Sequence, residues 1–93
     1  MAVELQIPVA LARYAENQDT LKVEGRSVGE TLGHLTRRYP SLKEHLFGTD
    51  GKLRQFVNIY VNDEDIRHQK NMETPLKSGD IMVIVPSIAG GLS

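Results

Sequence analysis

Apolar and polar side chains alternate over residues 3–7, which predicts a β-strand with one buried face. Pro8 ends this strand. The same alternation returns over residues 20–24 and stops at Gly25, so the two strands are predicted to pair as a hairpin with a long loop. Residues 9–17 show no clear period and leave the structure of that loop open.

A helical spacing replaces the alternation after Ser27. Ser27 and Glu30 have the spacing of a capping box, which predicts a helix start, and Pro40 prevents its continuation. Apolar residues recur along one stripe of this helix: Val28, Leu32, Leu35 and Tyr39. Gly29 and Gly33 each cost about 1 kcal/mol relative to alanine in a helix. We interpret them as a sign that the helix lies close against a sheet.

The second half of the chain predicts a short helical turn and three further strands. Apolar residues between 42 and 47 indicate a turn of helix over one end of the core. Residues 56–61 predict the third strand, residues 62–65 reverse the chain, and residues 66–67 begin a short return strand. Residues 81–85 are apolar on both faces, which is typical of a strand in the centre of a sheet.

This order of elements predicts an α+β domain of two layers, a mixed sheet packed on one main helix. It fits a β-grasp (ubiquitin-like) fold in which the last strand lies beside the first. We expect residues 1–86 to form this domain. Residues 87–93 are expected to form a flexible tail that contains Gly90 and Gly91 and a removable Leu92-Ser93 extension.

Composition excludes several classes of function. The 93 residues carry 11 basic and 12 acidic side chains, a net charge of −1, which gives no electrostatic basis for a nucleic-acid or membrane partner. The absence of cysteine excludes disulfides and thiolate chemistry. Since the N-terminus lacks the pattern of a signal peptide, we expect a soluble cytoplasmic protein.

No pattern in the chain indicates a catalytic group, a bound metal or a bound nucleotide. His34, His45 and His68 lack the spacing of metal ligands on a helix, and the glycines form no phosphate loop. The acidic residues 63–65 are interpreted as a polar turn, because they lack the alternating ligands of a calcium loop.

Two features remain that a binding protein could use. The first is an apolar patch on the sheet face away from the helix, and its members are Phe56, Tyr60, Met82 and Ile84. An exposed patch there would dock a partner, whereas ordinary cross-strand packing would explain the same residues equally well.

The second feature is the Gly90-Gly91 pair near the end of the chain. Glycines have no side chain, so such a segment can thread a narrow channel in a partner enzyme. A free carboxylate on Gly91 could be activated as an acyl-adenylate. The amide that joins Gly91 to Leu92 cannot, so Leu92 and Ser93 would have to be removed first.

Two stretches, "FVNIYVNDEDIR" at 56–67 and "LKSGDIMVIVPSIAGG" at 76–91, carry a family resemblance. With the element order and the length, they resemble the ThiS/MoaD family of ubiquitin-like sulfur carriers. They are most similar to the CysO-type carriers of cysteine biosynthesis.

The resemblance implies a protein co-substrate rather than an enzyme. A ThiF/MoeB-like activating enzyme would use ATP to adenylate Gly91, which becomes a thiocarboxylate, and a sulfur-accepting biosynthetic enzyme would consume the sulfur. A JAMM-type zinc metalloprotease would remove Leu92 and Ser93. The alternatives are a ubiquitin-like modifier that forms isopeptide bonds through Gly91, and an interaction domain with an incidental tail.

Overall fold

The computed structural model describes residues 2–54 and 57–86. Five strands are present, namely β1 (Ala2–Gln6), β2 (Thr20–Glu24), β3 (Val57–Val61), β4 (Glu64–Asp65) and β5 (Ile81–Pro86). The α-helices are α1 (Val9–Ala12), α2 (Val28–Arg38) and α3 (Pro40–Leu46), and 3-10 turns occupy Arg13–Ala15, Ile66–His68 and Asn71–Glu73. None of the helices in these residues is long and apolar enough to cross a lipid bilayer.

The strands form one mixed sheet in the order β2-β1-β5-β3-β4. β1 and β5 run parallel at its centre, and the other neighbours are antiparallel. The predictions of an N-terminal hairpin, a central last strand beside the first strand and a short return strand are confirmed. The return strand begins at Glu64, two residues earlier than predicted.

The loop between β1 and β2 contains the residues whose structure the sequence left open. Pro8 has no N–H group and cannot continue the ladder of β1, while the amide of Ile7 donates to the carbonyl of Asp19 at 2.9 Å and closes the hairpin. Between these points the chain forms α1 and one 3-10 turn. Glu16 and Asn17 then adopt left-handed conformations, with φ of 58° and 62°, that return it to β2.

Helix α2 packs its apolar stripe on the inner face of the sheet. Its start is capped as predicted, because the amide of Glu30 donates to Ser27 Oγ at 3.2 Å. The Glu30 carboxylate accepts from the amide of Arg26 at 2.6 Å, one residue before the partner of a standard capping box. The core between the layers includes Val3, Leu5, Val28, Leu32, Leu35, Leu42, Leu46, Ile59, Met82 and Ile84, all at most 2% exposed.

The turn between β3 and β4 is tied to the start of β5. Asn62 and Asp63 have φ of 51° and 71°, the signature of a two-residue type I′ hairpin. Asn62 Oδ1 accepts from the amide of Ile81 at 3.1 Å, and its Nδ2 donates to Asp80 at 3.2 Å. Asn62 therefore fixes the register between β3 and β5 as well as forming the turn.

Side chains of α2 protect the free edge of the sheet at β2. His34 Nδ1 lies 2.6 Å from the carbonyl oxygen of Glu24 and donates to it, and Arg38 Nη1 donates to the carbonyl of Lys22 at 3.4 Å. These carbonyls point away from β1 and would otherwise be available to a strand of another molecule.

The two glycines of α2 have different surroundings, and neither packs against the sheet. A Cβ atom at Gly29 would lie 3.2 Å from the carbonyl oxygen of Met72, in the 3-10 turn beside the helix. A Cβ atom at Gly33 would meet nothing within 4 Å. The interpretation that both glycines bring the helix close to the sheet was therefore wrong.

We predict opposite effects for alanine at two glycine positions. Gly25 is buried, and its Cβ would clash with Thr31 Oγ1 and lie 2.8 Å from the Thr31 amide nitrogen. Gly25→Ala should therefore lower the free energy of unfolding by about 1–3 kcal/mol. Gly33→Ala, the matched control in open space, should raise it by about 1 kcal/mol. Urea denaturation of both variants measures this, and a destabilised Gly33→Ala would contradict the open surroundings.

Candidate functional site

The outer face of the sheet, the side away from α2 and α3, is the part of the predicted site that the structure describes. Tyr60 lies there, half-buried, between the core positions Ile59 and Val61 on β3. Its partner on β5 is Val83. Directly opposed residues share a face, so Tyr60 and Val83 lie side by side on the outer face.

Met82 and Ile84 do not belong to the outer face, and their placement in the predicted patch was wrong. Met82 is 0% exposed and Ile84 is 2% exposed. They pair with Val61 and Ile59, which point into the core. All five residues from 81 to 85 are apolar, so no polar side chain in β5 indicates which alternate positions face the helices.

The exposed apolar residues of β5 are the intervening ones, and we call Ile81, Val83 and Val85 the apolar stripe. Ile81 is 39% exposed, Val85 is 40% exposed, and Val83 is half-buried between Tyr60 of β3 and Gln6 of β1. None of these three residues was among those predicted for the docking patch. The register of β5 against β3 identifies them, because it places them next to the β3 residues that face away from the core.

The remaining predicted residues lie outside the described part of the chain. They are Phe56, Gly90, Gly91 and Leu92. The described chain ends at Pro86, the last residue of β5. A shallow groove beside this end is lined by Gln6, Ile7, Pro8, Val83, Ile84, Val85 and Pro86. The predicted roles of the tail residues in threading, processing and adenylation stay predictions.

A polar network borders the apolar stripe on the side of β4. Asp65 lies opposite Tyr60 and so shares the outer face. Arg67 Nη2 donates to Asp65 Oδ2 at 2.8 Å and to Asn58 Oδ1 at 2.6 Å, and Arg67 Nε lies 3.2 Å from Asp65 Oδ1. Asn58 is the partner of Val85 on β5. The guanidinium group of Arg67 is therefore held next to the end of the apolar stripe.

The network lowers the pKa of Asp65. Hydrogen bonds from the Arg67 side chain, and then from the Arg67 amide, hold the pKa of this carboxyl at about 2 rather than 3.8. Each bond favours the ionised form of the carboxyl. Asp65 therefore stays ionised, and keeps binding Arg67, down to a lower pH than an ordinary aspartate does.

Within residues 2–54 and 57–86, no three His, Asp or Glu side chains come together as a group that could hold a metal ion. The described part of the site therefore consists of an apolar stripe, a tyrosine and a fixed arginine. This combination suits binding of a protein surface, where apolar centres with aromatic and arginine neighbours are enriched.

Sequence comparison decides the family. The ThiS family matches residues 5–91, almost the whole chain. The chain belongs to the ThiS family. The match ends at Gly91 and leaves Leu92 and Ser93 beyond it.

Relatives of known identity agree with this assignment. The sulfur carrier protein CysO of Mycobacterium tuberculosis is 37% identical over 93 residues, which cover 98% of this chain and 100% of the relative. Small archaeal modifier protein 3 of Haloferax volcanii is 34% identical over 65 residues, 70% of each chain.

The solved structure of the Amycolatopsis orientalis BexX/CysO complex contains a chain that superposes with a TM-score of 0.87. It is 34% identical, and the alignment covers 97% of this ThiS-family chain and 100% of that chain. Together with the sheet order, this confirms the β-grasp, ubiquitin-like fold that the sequence predicted.

We predict a measurable dependence of Asp65 ionisation on Arg67. Because the folded-state pKa is about 2 and the usual value is 3.8, the ionised carboxyl stabilises the fold above about pH 4, and this contribution is lost as the pH falls through about 2. Arg67→Gln should return the pKa of Asp65 toward 3.8. A carboxyl-carbon NMR titration measures both proteins, and equal pKa values in the two would contradict the network.

Proposed function

We propose that this chain is a ubiquitin-like sulfur carrier, a protein co-substrate on which partner enzymes act. The observation that carries the proposal is the ThiS-family match from residue 5 to Gly91. Full-length likeness to the sulfur carrier CysO supports it. The chain contributes an acyl group and a docking surface, while the partners contribute the nucleotide site, the zinc and the sulfur source.

The reacting group in this proposal is the carboxylate of Gly91. Its oxygen attacks the α-phosphorus of ATP, which is bound by a ThiF/MoeB-like activating enzyme, and pyrophosphate leaves. Hydrosulfide then attacks the acyl carbon of the adenylate, AMP leaves, and the thioacid loses its proton to become a thiocarboxylate. Gly90 has no side chain, so the segment before the reacting atom can pass through a channel too narrow for other residues.

The reaction requires that Leu92 and Ser93 are first removed, because an internal amide has no free carboxylate. We propose cleavage of the Gly91–Leu92 bond by a JAMM-type metalloprotease. The end of the family match at Gly91 supports this boundary. The form that carries Leu92 and Ser93 is then a precursor.

Docking of the activating enzyme is proposed for the outer face, with Tyr60 and the apolar stripe as its centre. Ile81 and Val85 are 39% and 40% exposed, so the apolar stripe is the exposed apolar surface of the central strand that precedes the tail. The complex of CysO with BexX shows that one relative binds a second protein. Phe56 keeps its predicted place on this surface as part of the proposal.

For the acceptor, the likeness to CysO favours sulfur delivery to an enzyme that makes cysteine or a related sulfur metabolite. Use of ATP by the activating enzyme fits the predicted cytoplasmic location. The second candidate function is that of a protein modifier, which the similarity to small archaeal modifier protein 3 favours. A modifier would form an isopeptide bond between Gly91 and a lysine of its target.

We predict that a chain ending at Gly91 becomes a thiocarboxylate when it is incubated with the ThiF/MoeB-like enzyme of the same organism, ATP and sulfide. Intact-mass analysis should show replacement of one oxygen by sulfur, and fragment ions should place it at Gly91. The full chain is the matched control and should remain unchanged, since Leu92 blocks the carboxylate.

Two outcomes would contradict the proposal. Equal conversion of both forms would mean that Leu92 and Ser93 are not a block. Recovery of Gly91–lysine conjugates without any thiocarboxylate, whether or not sulfide is present, would favour the modifier.

A further inference from the structure

Strand β2 lies at one end of the described sheet, with β1 as its strand neighbour. The amide of Ile7 donates to the carbonyl of Asp19 at 2.9 Å, in register with the pairing of β1 and β2, so these two residues form a hydrogen-bonded pair. Such pairs recur at every second residue of an antiparallel ladder. Lys22 and Glu24 lie at the intervening positions, and their main-chain N–H and C=O groups therefore point away from β1.

Two side chains of α2 cover the carbonyls on this edge. His34 Nδ1 donates to the carbonyl of Glu24 at 2.6 Å, and Arg38 Nη1 donates to the carbonyl of Lys22 at 3.4 Å. Residues four apart on a helix are separated by about 6 Å along its axis, which matches the roughly 6.6 Å between strand residues two apart. Successive turns of α2 thus cap successive outward carbonyls of β2.

The partner that fits this edge is β2 of a second copy. Antiparallel pairing about a two-fold axis at Val23 places Lys22 of one copy opposite Glu24 of the other, and the reverse. Both side chains are exposed, and directly opposed opposite charges stabilise such a pairing. An axis at Lys22 would instead oppose two lysines.

The capped carbonyls are the acceptors that this charge-matched register requires. In it, each pair of Lys22 with Glu24 exchanges two main-chain hydrogen bonds, one to the carbonyl of each residue. Arg38 and His34 already occupy those carbonyls. A second copy could pair only after displacing both side chains.

We infer that β2 is a self-complementary edge, and that His34 and Arg38 keep copies of the chain from pairing through it. Removal of both caps converts the monomer to a dimer whose sheet continues from one copy into the other. The inference goes beyond the proposed function and does not depend on it, since it concerns the two elements α2 and β2 and not the docking surface on β3 and β5.

The test is the sedimentation of the full chain and its variants between about 10 μM and 1 mM. His34→Ala/Arg38→Ala, which we call the uncapped chain, should raise the dimer association constant at least about tenfold, because both acceptors are released. Arg37→Ala is the matched control, since it removes an exposed arginine of the same helix and leaves both caps in place. It should change the constant less than about twofold.

Substitutions at Lys22 in the uncapped chain test whether association uses this edge and this register. Lys22→Pro removes an outward N–H group and leaves the bonds to β1 in place, so it should restore the monomer. Lys22→Glu opposes like charges and should do the same. The exchange Lys22→Glu/Glu24→Lys opposes unlike charges again and should bring the dimer back.

Thermal unfolding of each variant first verifies that it is folded. A folded uncapped chain that remains monomeric at about 1 mM would overturn the inference. A dimer that persists with Lys22→Pro, or that the charge exchange fails to restore, would also overturn it. If the uncapped chain is unfolded, His34→Ala and Arg38→Ala provide the test separately. Each should give a smaller increase in association, and no increase in either would again overturn the inference.

Discussion

Parallel pairing of β1 with β5 is the constraint on which the rest of the structure depends. It joins the first and last strands of the chain at the centre of the sheet, where Leu5 of β1 and Met82 of β5 are direct partners and both are fully buried. Removing either side chain down to alanine would cost about 2–5 kcal/mol, a large fraction of the stability of a small domain. The antiparallel hairpins on both sides and the crossover helix α2 are built on this pair.

The same pairing determines which side chains the domain offers to a partner. Once Met82 faces the helices, strand alternation directs Ile81, Val83 and Val85 to the opposite face. The pairing with β3 places Tyr60 and Asn58 next to them. The central strand thus carries the apolar stripe, and the segment that contains Gly91 follows it in the sequence. The proposed docking and the proposed chemistry are therefore connected through one strand.

Local patterns were sufficient to predict most of the fold. Polar residues mark the phase of β1, β2 and β3, and Ser27 with Glu30 marks the start of α2, so each of these elements was found from its own residues. Residues 81–85 of β5 are all apolar, so no polar residue marks which of them face away from the core. Only the register with β3 reveals their orientation, which is why Met82 and Ile84 were misplaced on the outer face.

The network that Arg67 forms with Asp65 and Asn58 could not be predicted from the sequence either. Its contact with Asn58 joins residues on different elements, and no periodicity encodes that distance. Gly33 is an example of a misleading sequence feature. A glycine in a helix suggests close packing, but no atom lies near enough to Gly33 to require it. Family membership, by contrast, could be inferred from two local stretches, since the turn after β3 and the segment around β5 are continuous in sequence.

The most direct test of the account is a map of the surface that meets the activating enzyme. Backbone amide shifts of the nitrogen-15-labelled chain ending at Gly91 would be recorded during titration with the ThiF/MoeB-like enzyme. We expect perturbation of Tyr60, Val83, Val85 and Gly91, with Arg37 on α2 unchanged. Perturbation confined to α2 and α3, with the outer face and Gly91 unaffected, would contradict it.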